Sequence, residues 1–82
     1  FSKLIAIFAE NYQYIAKMKE LGIEIKRRRQ VLQITQQELA DLANVSINTV
    51  VAVERGTGNP RIETLLSICN VLGLKISAKI KD

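Results

Sequence analysis

The chain has no histidine, no tryptophan, and one each of cysteine, proline and methionine among its 82 residues. Without histidine, serine–histidine and cysteine–histidine catalysis lack their base. A lone Cys69 rules out a disulfide within the chain, and no zinc site of the Cys/His kind can be assembled. Aromatic residues make up 5% of the chain, so the core must rest on aliphatic side chains. No apolar run approaches the ~20 residues that cross a bilayer. The short apolar opening from Phe1 to Ala9 meets Glu10, Asn11 and Gln13 at once, which makes it a poor signal peptide. The expectation is a cytoplasmic protein that uses no metal or cofactor and performs no catalysis. Because the chain starts at Phe1 rather than Met, its true beginning lies open, and residues 1–17 can be read as an extension upstream of Met18.

What is present is ordinary globular content, 48% hydrophobic and 24% charged, which argues against disorder. Twelve Lys and Arg oppose eight Asp and Glu, a net charge of +4 that favours anionic partners without identifying one. A chain this short buries only about 60% of its unfolded surface, so a partner chain would add stability.

The pattern reads as helices with brief polar punctuation. Phe1, Ile5, Phe8, Tyr12 and Ile15 are spaced four, three, four and three, one stripe with a period near 3.5. It fits packing, on the chain's own core or across a dimer. Gly22 suits the end of this first helix, and a second is expected over residues 23–33 with the cationic run Lys26-Arg27-Arg28-Arg29. Such a run is either a solvated face or a phosphate-binding patch. Thr35-Gln36-Gln37-Glu38 is a capping box that opens a third helix. Asn44 tolerates the left-handed turn after it, and Ser46 caps a fourth helix over 47–55. Gly56-Thr57-Gly58-Asn59-Pro60 is loop chemistry. Ile62, Leu65, Leu66, Cys69 and Leu72 then form a one-sided helix ended by Gly73, with Cys69 read as a buried thiol. Leu74, Ile76, Ala78 and Ile80 alternate with polar residues, as one face of a strand.

Between Gln36 and Val53, Ala40 permits a close crossing, Asn44 supplies a tight turn, and Val50 and Val53 face Leu39 and Ala43. Those are the steric requirements of a helix-turn-helix. With Val50 and Val53 inward, Asn48, Ala52 and Arg55 fall on the opposite face. Asn48 can pair with an adenine edge, Ala52 lets the helix sit deep, and Ile47 or Val51 can touch a thymine methyl. Helix starts at Gln36 and Ser46 offer amides to phosphates.

Residues 22–74 resemble the lambda-repressor-like regulators of the Cro/repressor, xenobiotic-response-element type. The resemblance rests on Ile34-Thr35-Gln36-Gln37-Glu38-Leu39-Ala40, Val45-Ser46, Val53-Glu54-Arg55-Gly56, Asn59-Pro60 and Glu63-Thr64-Leu65-Leu66. It implies an all-α, five-helix DNA-binding domain over residues 22–73, with a helical extension over 1–21 and a dimerisation strand over 74–82. It implies further that Gln36 touches a phosphate and that Ser46, Ile47, Asn48 and Ala52 approach base edges. Arg55 and Arg61 would lie near the DNA backbone, and Arg29 and Glu54 would form an internal pair. Ile47 and Val51 are apolar where many relatives carry polar readers, which shifts weight toward shape readout. Arg61 stands where a capping Ser or Thr is expected.

A strand with an apolar face and no sheet in its own chain is expected to pair with a second copy. The expected function is therefore a homodimeric, sequence-specific regulator, most often a repressor of its own operon, on a palindromic operator. The tail also resembles the antitoxins that partner Hip-type kinases, so neutralising a kinase-like toxin is the alternative. An oligomerisation module that has lost DNA binding is a third reading.

Overall fold

The computed structural model describes residues 2–76, with side chains described over 16–76. Four α-helices occupy the described residues: α1 (Ser2–Val31), α2 (Gln36–Ala43), α3 (Ile47–Arg55) and α4 (Ile62–Leu72). No strand occurs among them. Residues 22–73 hold four helical segments rather than the expected five, namely the end of α1 with α2, α3 and α4, and the expected extension over 1–21 is no separate element because α1 runs unbroken through Gly22, where the sequence suggests an end.

The reason lies in packing. A Cβ on Gly22 would stand 2.5 Å from the carbonyl oxygen of Val53 and 2.7 Å from that of Glu54. Gly22 is thus the notch that lets α1 press against the last turn of α3. Gly56, which closes α3 at φ +72°, approaches α1 from the other side; a Cβ there would lie 2.7 Å from Lys19 Cα.

Local sequence sets the other boundaries. Gln33 takes a left-handed backbone, φ +57°, just past the end of α1. Thr35 accepts from the Glu38 amide while Glu38 accepts from the Thr35 amide, the full reciprocal box. Asn44, also at φ +57°, closes α2 and returns its amide to the helix carbonyls. Ser46 Oγ accepts from the Thr49 amide and opens α3. Arg61 precedes α4 with no side-chain cap, as its chemistry requires.

The core joins Met18 and Ile25 of α1, Leu39, Ala40 and Ala43 of α2, Val50 and Val53 of α3, and Leu65, Ile68, Cys69 and Leu72 of α4. Aliphatic side chains fill it, as the shortage of aromatics demands. Cys69 is among them at 1% exposure, and burial pushes its thiol pKa up. Ser67 Oγ donates to the Ala43 carbonyl at 2.7 Å, tying α4 to the end of α2.

Beyond Gly73 the chain carries no regular structure through Ile76. Leu74 packs on this chain's own core and Ile76 is 36% exposed. Ala78 and Ile80, the other half of the expected strand, lie outside the described residues.

Candidate nucleic-acid interface

The two helices that carry the site are braced from beneath by one charge cluster. Arg29 Nε donates to Glu54 Oε2 at 2.6 Å, and Arg29 Nη2 donates to Glu54 Oε1 at 3.1 Å. Arg29 Nη1 donates to the Ile34 carbonyl at 3.0 Å. Gln36 Nε2 donates to Glu54 Oε1 at 3.2 Å. The side chains of Arg29 and Glu54 are 12% and 3% exposed. Hydrogen bonding to Glu54 raises the Arg29 pKa, with a smaller opposing effect from burial. The cluster pins the end of α1, the entry to α2 and the last turn of α3 at a single point. Its two-toothed geometry is one that Arg supplies and Lys cannot.

Above that brace, α3 turns Val50, Val53 and Glu54 inward. Its other side presents Ile47, Asn48 and Arg55 exposed, with Val51 and Ala52 half-buried between them. These five positions fall at i, i+1, i+4, i+5 and i+8, one continuous strip along the helix. Ser46 is exposed at the helix start, its hydroxyl engaged with the Thr49 amide and with Thr49 Oγ1 at 2.8 Å. Beside the strip, Thr49, Ala52, Thr57, Gly58, Asn59 and Pro60 line a shallow groove of about 170 Å³ between α3 and the following loop. Thr57 Oγ1 donates to the Ala52 carbonyl at 3.3 Å and holds the loop against the helix. Thr49, Thr57 and Pro60 are not among the sequence candidates; loop composition marks Thr57 and Pro60, whereas Thr49 lies on α3 and carries no such signal.

Arg61 is exposed at the far end of the loop. Among the described residues neither Arg55 nor Arg61 joins an ion pair. Gln36 differs in setting, since it is half-buried and already spends one N–H on Glu54.

The cationic run of α1 divides four ways. Lys26 is exposed, and Arg27 pairs with Glu24 at 2.9 Å. Arg28 Nε donates to the Leu72 carbonyl at 2.9 Å and so caps the C-terminus of α4. Arg29 lies in the brace. The run is therefore not one phosphate-binding patch. No helix is long and apolar enough to cross a membrane, and no cluster of His, Cys, Asp and Glu able to hold a metal ion occurs, in both cases among the described residues.

Comparison with known proteins bears on the same stretch. Residues 25–78 match the family described as Helix-turn-helix. The chain is 36% identical over 62 residues to an immunity repressor protein of Bacillus phage phi105, covering 76% of this chain and 43% of that protein. It is 37% identical over 54 residues to an uncharacterized HTH-type transcriptional regulator of Haemophilus influenzae, covering 66% of this chain and 55% of the relative. The chain thus spans about half the length of these relatives. With the family match across most of the chain, and with helices α2 and α3 braced as such a unit requires, this protein belongs to the helix-turn-helix family of the Cro/repressor type.

Proposed function

We propose that this chain is the DNA-binding part of a sequence-specific transcriptional regulator, acting as a repressor with α3 laid in the major groove. The observation that carries the reading is the strip on α3. Asn48 and Arg55 stand exposed, and Ala52 lies between them where a larger residue would hold the helix off. Asn offers a bidentate partner to adenine, and Ile47 and Val51 offer apolar contact to thymine methyls. Arg55, Arg61 and the second N–H of Gln36 serve the phosphates, with Ser46 and the first amides of α3 beside them. Both relatives support the regulatory role by name, one as a repressor and one as a transcriptional regulator. Neither is named as an antitoxin, and that alternative is not carried forward.

The regulator acts as a homodimer on a roughly palindromic site, its two α3 helices about 34 Å apart. Leu74 is already used by this chain's own core, which leaves Ile76, Ala78 and Ile80 for pairing with a second copy.

A salt titration tests the reading. Duplexes recovered by selection from a random library should bind about 10³-fold or more tighter than scrambled sequence at physiological salt. Both affinities should fall steeply as salt rises. A library that yields no enriched sequence contradicts the proposal.

A further inference from the structure

The last carbonyls of a helix have no partner within it. At the end of α4 the amides of Leu74 and Gly73 take the carbonyls of Cys69 at 2.8 Å and Asn70 at 3.2 Å. The carbonyl of Leu72, the last before the chain leaves the helix, is taken from outside α4. Arg28 Nε of α1 donates to it at 2.9 Å, across 44 positions of sequence. Arg28 Nη2 also stands 3.8 Å from where a Cβ on Gly73 would lie, so the guanidinium covers the residue at which the chain turns, φ +72°. Among the described residues Arg28 joins no ion pair. Its charge faces the negative end of α4, and the hydrogen bond is charge-assisted. Just beyond, Leu74 packs on the core, and Lys75 and Ile76 are exposed. Arg29, the next residue of α1, points about 100° away around the helix and binds Glu54 of α3 at 2.6 Å. One turn of α1 therefore holds α3 with one guanidinium and the base of the C-terminal tail with its neighbour.

We infer that Arg28 is a positioning residue that sets the spacing between the two half-sites of the operator, by fixing where the tail leaves the domain relative to α3. The inference rests on the reading above, in which α3 enters the major groove and the tail pairs two copies. In such a dimer each α3 lies about 17 Å from the two-fold axis, half of the ~34 Å separation. A swing of roughly 10° about the start of the tail then moves α3 by about 3 Å, close to the ~3.4 Å rise of one base pair. Spacing is thus sensitive to small freedoms at Gly73. The amide bonds of Gly73 and Leu74 tie the turn to α4 alone. Leu74 holds by apolar contact, which has no preferred direction. The Arg28 bond is directional, and it ties the turn to α1, the helix that also anchors α3. Arg28 on this account has no part in which bases are read. It decides how far apart two copies must stand to read them.

Binding of the full chain to duplexes that carry the selected half-site twice, inverted, with the gap varied one base pair at a time, tests the assignment. The unmodified chain should favour one gap by about tenfold or more over its neighbours. Arg28→Met keeps the stem and removes the donors. It should cut that preference to about threefold or less, with affinity for an isolated half-site and the sedimentation mass of the dimer unchanged. Lys26→Met removes the same charge from an exposed position without such a bond and should keep the full preference. Hydrogen exchange at the Leu74 amide should quicken about tenfold in Arg28→Met, with the Val53 amide of α3 unaffected. A gap preference that survives Arg28→Met overturns the inference, as does an equal loss in Lys26→Met, which would make charge the cause. A loss as large on the isolated half-site overturns it too, since Arg28 would then touch DNA itself. A dimer that shows no gap preference before any substitution has the same consequence. An unmodified chain that binds as a single copy removes the dimer reading and this inference together, and does so before Arg28 is changed, so the two failures are told apart.

Discussion

Gly22, in the middle of a 30-residue helix, sits against the carbonyl oxygen of Val53, where a Cβ would be 2.5 Å away. Glycine is a poor helix former, about 1 kcal/mol worse than alanine in a helix interior. An exposed Gly22→Ala change would therefore stabilise the protein. Here the obstacle is backbone, which cannot rotate aside, and overpacking of this kind costs about 1–3 kcal/mol. Gly22→Ala is expected to lower the urea midpoint, not raise it. A raised midpoint would mean that α1 does not press on α3 as closely as described.

Breaking the buried pair should be the most damaging single change in the domain. Glu54→Ala strands the Arg29 guanidinium and removes the acceptor of Gln36, at a cost of about 3–5 kcal/mol. Replacing both partners, as in Arg29→Met with Glu54→Leu, should recover much of that loss because no buried charge is then unpaired. Denaturant unfolding of the two single variants and the double checks this. Additive losses would show that the two side chains act independently.

Arg61 separates stability from binding. Arg61→Ser supplies the missing cap of α4 and should stabilise the domain by about 0.5–2 kcal/mol. If Arg61 serves a phosphate, the same change weakens DNA binding on every sequence alike and flattens the salt dependence by about one ion. Thermal unfolding and a salt titration on one preparation read both effects. Higher stability with unchanged DNA affinity would remove Arg61 from the interface.

The parts of the fold legible in the sequence are those decided within a few residues. The Thr35–Glu38 box, the Ser46 cap, the left-handed Asn44 and the ends of α3 and α4 are local chemistry, and each stands where its residues place it. Gly22 misleads because its reason is 31 positions away, in the carbonyls of α3. Local reading sees a helix breaker; packing sees a notch. Gln33 is the reverse case, a left-handed residue with none of the usual turn chemistry, fixed by the Gln33 amide bonding the Gln30 carbonyl and the Ile34 amide that of Arg29.

The site divides in the same way. Periodicity alone places Asn48, Ala52 and Arg55 opposite Val50 and Val53. It cannot show that Gln36 leans on Glu54, or that Arg28 turns to the Leu72 carbonyl, because both bonds join residues far apart in sequence. Four consecutive cations look alike in sequence. Only the packed structure gives Lys26, Arg27, Arg28 and Arg29 four different surroundings.

The reading of α3 as the recognition element is tested most directly by Asn48→Ala, on a duplex recovered by selection and on its single-base variants. Fluorescence anisotropy at fixed salt should show about 1–3 kcal/mol lost on the selected duplex, with preference relaxed at one base pair and retained at the others. An unchanged affinity, or a loss equal across selected and scrambled duplexes, would contradict the placement of α3 in the major groove.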